Sequence, residues 1–185
     1  MLMALSTRAW TLAELDRLPD DGNKYELVDG ELFATPAPSP AHEQLASVLH
    51  GIIAPYVREQ QLGRVYTPRA VVRTDASEVE PDLMVRPETP TLPKKWAQMP
   101  TPLLVVEISS STTRRRDHEQ KRGLYTRIGV AEYWIVDRWS RSIHVVRRDA
   151  ADSVAESVLV WRPDGVRQAL NIDVAAYFDE ALGKR

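Results

Sequence analysis

The run Leu103-Leu104-Val105-Val106-Glu107-Ile108 constrains this chain more than any other stretch, because it is an apolar strand with a single carboxylate near its end. An ionised carboxylate in such a strand loses hydration that it recovers only where a cation, a donor or water can reach it. Two other features answer it. Upstream, Glu80-Pro81-Asp82-Leu83-Met84-Val85 sets a second carboxylate inside a short apolar run, and downstream a helix-like segment carries Lys121 among apolar neighbours. Two acids and a lysine suggest phosphodiester chemistry.

The 185 residues suit one domain with a well-formed core, and 43% hydrophobic with 27% charged residues is ordinary globular composition. Without cysteine, any metal must be held by oxygen or imidazole ligands, which favours Mg2+ or Mn2+. A net charge of −2 argues against a uniformly basic surface, so contact with a phosphate backbone would fall to a local patch. The start, Met1-Leu2-Met3-Ala4-Leu5, lacks the basic region of a signal peptide, and no apolar run approaches the ~20 residues that span a bilayer. The expectation is a cytoplasmic protein with no membrane contact.

In chain order, Thr11-Leu12-Ala13-Glu14 has the form of a capping box and predicts a short helix over 12–18, stopped by Pro19. Two strands, 24–28 and 31–34, flank Asp29-Gly30, a pair that tolerates the positive φ angles of a two-residue hairpin turn. Ser39-Pro40 is a cap and first position for a helix on which Leu45, Val48, Leu49, Ile52, Ile53, Tyr56 and Val57 share one face. His42 begins that stripe; it fits either a partly buried histidine bonded to backbone or a site residue. Strands are predicted over 65–73 and 79–86, with Asp82, Met84 and Arg86 on one face and Leu83 and Val85 on the other. The proline-rich stretch 87–102, with Trp96, reads as an ordered loop or flap. After Glu107 come Ser109-Ser110-Ser111-Thr112-Thr113, then a helix over 114–127 ended by Gly129, strands over 132–136, 142–147 and 154–161, and a closing helix within 171–182.

On the 114–127 helix, Lys121, Leu124, Tyr125 and Ile128 are spaced 3, 1 and 3, so the lysine lies on the stripe facing the sheet. It stands roughly 12 Å along the helix axis at 1.5 Å per residue, within reach of Glu107 if the side chain leans toward the N-terminus. Asp117 sits four residues earlier, where it could orient the ammonium or form a plain surface pair. If the Asp82 and Glu107 strands pair, their carboxylates converge, and a divalent cation relieves the repulsion while activating a water. The bland alternative makes Asp82 a turn residue after Pro81 and Glu107 a satisfied edge charge. Arg114-Arg115-Arg116 is a candidate for nucleic-acid contact or a solvated helix face; six basic against three acidic residues give 107–127 a charge of +3.

The pattern resembles the PD-(D/E)XK nuclease superfamily through Pro81-Asp82 and, 25 residues on, Glu107. More closely it resembles a bacterial family of restriction-endonuclease-like proteins once catalogued as a domain of unknown function. The matching pieces are Tyr25-Glu26-Leu27-Val28-Asp29-Gly30-Glu31, Ser39-Pro40-Ala41-His42, Pro81-Asp82, Val106-Glu107-Ile108-Ser109, Asp117 to Lys121, Tyr125 and Glu132-Tyr133-Trp134-Ile135-Val136-Asp137. The resemblance implies an α/β fold with a restriction-endonuclease-like mixed central sheet, an α-β-β-β-α-β core with an added N-terminal hairpin and C-terminal strands. Within a single domain, 1–38 would hold the first helix and hairpin, 39–137 the nuclease core, and 138–185 the C-terminal strands and helix.

It further implies metal-dependent phosphodiester hydrolysis, with Asp82 and Glu107 as Mg2+ (or Mn2+) ligands and Lys121 as the catalytic lysine. The superfamily pattern places lysine two residues after the acid, where this chain has Ser109; similar proteins supply it from the helix. Glu43 matches the superfamily's additional acid on the first helix, while Glu31 and His42 match motifs of the closer family. The leading expectation is an endonuclease acting on DNA as a homodimer, since two symmetry-related sites suit two strands. The alternative is a catalytically inactive module that keeps the fold for nucleic-acid or protein binding.

Overall fold

The computed structural model describes residues 8–109 and 117–184. Its centre is a six-stranded sheet in the order β10-β9-β8-β7-β6-β3, formed by β3 (Arg64–Tyr66), β6 (Leu83–Arg86), β7 (Leu104–Ser109), β8 (Glu132–Asp137), β9 (Ser142–Arg147) and β10 (Ala150–Ala155). All its neighbours are antiparallel except β7 and β8, which run parallel from Leu104↔Glu132 to Ser109↔Asp137. That parallel pair needs a crossover, and the chain between them supplies a helix, α3 (Arg122–Arg127), entered through a π-helical turn, Asp117–Lys121. Within the predicted helix over 114–127, the described part is this π-helical turn followed by one short α-helix; Arg114, Arg115 and Arg116 and the Asp117 side chain lie outside the described residues.

A second sheet, in the order β2-β1-β5-β4, is built from β1 (Lys24–Val28), β2 (Glu31–Thr35), β4 (Val72–Arg73) and β5 (Glu78–Val79). Asp29 and Gly30 both take positive φ, 50° and 86°, which makes the expected two-residue hairpin turn. The sequence reading of single strands over 65–73 and 79–86 needs correction. Each splits into two pieces in different sheets, and the breaks fall at Pro68 and Pro81, residues that cannot donate to a strand ladder. Glu80-Pro81-Asp82 thus carries the chain from the small sheet to the large one, and Asp82 stands at the crossing.

The thiol-free core is divided by the large sheet. On one face Leu83, Val85, Leu104, Val106 and Ile108 pack against Leu45, Leu49 and Ile53 of α2 (Pro40–Glu59) and Tyr177 and Phe178 of α4 (Val174–Leu182). On the other, Met84, Val105 and Ile135 meet Leu124 and Tyr125 of α3 and Val28, Phe33, Val72 and Val79 of the small sheet. Strand alternation explains the division, and it sends Glu107 to the α3 face beside Val105.

Three other expectations shift. The first helix, α1 (Leu12–Leu15), has the Thr11–Glu14 capping box but stops before Pro19, with Asp16 as its C-cap. The strand read over 154–161 divides into β10 and β11 (Val158–Trp161), and residues placed in the closing helix form β12 (Leu170–Asp173), with Asp173 capping α4. The 87–102 stretch is ordered loop with one 3-10 turn, Trp96–Gln98. Trp96 meets Tyr66 edge-on at 5.7 Å, and Arg86 donates to the carbonyl of Pro100, so this loop covers an edge of the sheet rather than the site. Among the described residues no helix is long and apolar enough to cross a membrane.

Candidate active site

Strands β6 and β7 pair with Leu83 opposite Val106, so the next step of the register sets Asp82 across from Glu107. Both line one cleft of about 740 Å³, together with Lys24, His42, Glu80 and Ser109. The two acids nonetheless have different surroundings.

Asp82 Oδ2 accepts from the Ile108 backbone N–H at 2.7 Å and lies 3.1 Å from His42 Nε2, while Oδ1 is 3.6 Å from Lys24 Nζ. Burial alone would raise this carboxyl. The Lys24 charge, the His42 hydrogen bond and charge, and the Ile108 N–H outweigh it and hold Asp82 well below the usual carboxylate range. For His42 burial pushes downward, but Asp82 prevails and leaves the imidazole raised. Ser39 caps α2 by accepting from the His42 N–H, which sets His42 in the first turn, aimed at the cleft.

Glu107 Oε1 accepts from Lys121 Nζ and from Tyr125 Oη, each at 2.8 Å. Lys121 Nζ is equally close, 2.8 Å, to Glu26 Oε1, and Glu26 also accepts from the Glu80 N–H at 2.9 Å. Lys121 and Glu26 are both wholly buried. Burial is the main cause that pushes Glu107 up to about 7, against the opposing pull of Lys121 and Lys24. It raises Tyr125 as well, with Glu107 next in effect.

The structure therefore joins Asp82, Glu107 and Lys121, and sets His42 and Ser109 beside them. Glu31 stands apart, accepting from Gln120 Nε2 at 2.7 Å on the outer side of the π-helical turn. Glu43 sits on the lip of the cleft, its side chain 64% exposed and 3.8 Å from His42 Nδ1. The other carboxylates close to the pair are instead Glu80, on the cleft wall, and Glu26, which sequence reasoning quoted in a motif without giving it a role; Lys24 was missed altogether. A signal existed: in β1, period two sets Lys24, Glu26 and Val28 on one face, and Val28 is in the core. The hairpin read as an addition to the core supplies two side chains of the site.

Two facing carboxylates are hard oxygen donors of the kind Mg2+ and Mn2+ prefer, and Mg2+ is commonly held by one or two carboxylates with water completing its shell. Among the described residues no group of three or more His, Asp or Glu is arranged to hold a metal ion, so the fit is to such a water-rich site.

A β6-β7-α3-β8 unit that brings two acids to one cleft, with α2 packed behind it, is the restriction-endonuclease-like fold. The chain belongs to the Uma2 family, described as "Putative restriction endonuclease", whose model matches residues 12–175. The fold is similar to the crystal structure, at 1.96 Å resolution, of a protein described as "a putative nuclease belonging to DUF820" from Anabaena variabilis ATCC 29413. That likeness has a TM-score of 0.74 at 19% identity and covers 94% of this chain and 99% of the other. Among curated proteins none matches.

Proposed function

We propose that the protein is a metal-dependent endonuclease that hydrolyses DNA phosphodiester bonds in the cleft holding Asp82 and Glu107. The observation that carries this reading is the cross-strand pairing of the two acids, each with a lysine beside it, in one solvent-reaching cleft. Asp82 and Glu107 are the residues that would hold the ion. When bound, Mg2+ or Mn2+ supplies a water of lowered pKa and positive charge beside the phosphate oxygen.

The side chains then divide the work. Asp82 is ionised at neutral pH because Lys24, His42 and the Ile108 N–H favour its charged form. Lys121 and Tyr125 fix the Glu107 carboxylate by one oxygen, which orients the other, and that second oxygen takes no hydrogen bond among the described residues. His42 holds Asp82 from the opposite side. In the overall reaction a water oxygen joins phosphorus, a P–O ester bond breaks, and the departing oxygen leaves as a hydroxyl with a proton that the water has lost. Arg69 and Arg138 line the same cleft and supply positive charge for the strand entering it.

The test is cleavage of plasmid and oligonucleotide DNA with Mg2+ or Mn2+ by the wild-type protein and by Asp82→Ala and Glu107→Ala. Loss in both variants supports the assignment. Cleavage unchanged by either substitution sinks the site, and a wild-type protein that binds DNA without cutting it favours the binding module instead.

A further inference from the structure

We infer that Lys24, from the N-terminal hairpin, is the cation that touches the scissile phosphate, and that Lys121 is a positioning residue for Glu107. This rests on the nuclease reading above and reassigns the role of lysine within it.

The two lysines share a chemistry but not an environment. The Lys121 side chain is wholly buried, its ammonium held at 2.8 Å by both Glu26 and Glu107, and it does not line the cleft. For Lys121 to reach a phosphate it would have to abandon two enclosed carboxylates, leaving their charges uncompensated in the core. It therefore stays where it is, and its effect passes through Glu107.

Lys24 does line the cleft, and its side chain retains 18% exposure. Its Nζ donates to the Glu80 carbonyl at 2.8 Å and stands 3.6 Å from Asp82 Oδ1 and 3.9 Å from Glu26 Oε1. The Glu80 contact comes from the residue that carries the chain from β5 toward Asp82, so the same crossing segment fixes both the acid and the lysine. An ammonium is a compact point charge with rotatable donors. Set beside the acid that would hold the metal, it meets the oxygen on which charge grows as water adds to phosphorus. Lys24 contributes charge alone, and the bonds made and broken are those of the hydrolysis already described.

Its neighbours explain why the site needs both lysines. Asp82, Glu80, Glu26 and Glu107 bring four carboxylates close together, and an anionic substrate entering them meets repulsion unless a cation faces it. Lys121 offsets the enclosed half of that charge and Lys24 the half open to substrate.

The experiment compares Lys24→Gln, Lys24→Arg and Lys121→Gln with wild type in Mn2+-dependent plasmid cleavage, thermal unfolding, and metal-free binding of a duplex oligonucleotide by fluorescence anisotropy. Lys24→Gln should lose on the order of 100-fold in kcat, as when one transition-state donor is removed, with duplex binding weakened and Tm lowered less than in Lys121→Gln. Lys24→Arg should recover part of the rate, and Lys121→Gln should lower Tm. An unchanged kcat in Lys24→Gln overturns the proposal, and so does a fall in Tm matching that of Lys121→Gln without rescue by arginine. If wild type cuts nothing, the hydrolase reading fails and binding decides for Lys24. Weaker duplex binding in Lys24→Gln, restored by Lys24→Arg, then supports the phosphate contact, and equal binding overturns it.

Discussion

Asp82 and Glu107 face each other across two strands, yet the fold provides for the two acids by opposite means. Asp82 is supplied by groups that border the cleft: a backbone N–H, an imidazole and a lysine that is still partly exposed. Glu107 is supplied from inside, by a lysine and a tyrosine without solvent contact of consequence. The first arrangement depresses the carboxyl and the second leaves it raised, because burial wins where the counter-charge is shared with a second carboxylate, Glu26. The difference teaches what each half can give up. Partners at an open edge can be exchanged for a ligand, while enclosed partners cannot be exchanged without unfolding around them.

Breaking the enclosed half should therefore have the largest effect. Lys121→Met leaves Glu26 and Glu107 buried without their shared cation, and removing one partner of a buried pair costs about 3–5 kcal/mol. Urea denaturation followed by circular dichroism measures it. The double variant Glu26→Gln/Lys121→Met should lose less than the sum of the single changes, since the two residues are in contact. A Lys121→Met protein as stable as wild type would remove the distinction between the halves.

Tyr125→Phe is the milder cut on the same side. It deletes one hydrogen bond to Glu107 but keeps the ring, which packs on Tyr133 at a centroid distance of 4.8 Å. A hydrogen bond to a charged group contributes about 1.5–3 kcal/mol, and the loss in the same unfolding measurement should fall in that range. On the open side, His42→Ala removes a partly buried hydrogen bond while Asp82 retains Ile108 N–H and Lys24. This bond too goes to a charged group, but His42 borders solvent and Asp82 keeps two other partners, so about 1 kcal/mol is expected in unfolding. A larger loss from His42→Ala than from Tyr125→Phe would reverse the ranking of the two halves.

The same contrast governs how much could be read beforehand. The β7 strand, the face of α2 and the position of Lys121 were legible because apolar spacing reports which side of an element is buried, and one lysine within that spacing is conspicuous. The hairpin was legible from Asp29-Gly30. What escaped was tertiary. Prolines 68 and 81 marked the points where chain segments change sheets, but a sequence shows only that a ladder is interrupted, not where the chain goes next. Lys24 and Glu26 were overlooked for a related reason. Each is an ordinary strand residue until β1 is laid beside β5, and only that pairing, through Leu27↔Glu78 and the Glu80 N–H to Glu26, carries them to Asp82 and Glu107.

The smallest expected effects test how the hairpin is held to the helix bearing Lys121. Gln120 Nε2 donates to Glu31 Oε2 at 2.7 Å, and Arg127 Nη2 donates to both oxygens of Asp29 at 2.7 and 2.9 Å, so the turn and first residue of β2 are fastened at two points along the π-helical turn and α3. These pairs are exposed, and an exposed pair contributes roughly 0.2–1 kcal/mol. Gln120→Ala and Arg127→Ala should accordingly leave the unfolding midpoint nearly unchanged. Their consequence should be local: faster amide hydrogen exchange around the 28–31 turn, with rates elsewhere as in wild type, because the buried Leu27, Val28, Leu32 and Phe33 still hold the rest of the hairpin to the core. Uniform acceleration across the large sheet would mean instead that the hairpin unfolds only with the whole domain. In that case the open half of the site would be as rigidly built as the enclosed one, and the contrast between Asp82 and Glu107 would reduce to solvent access alone.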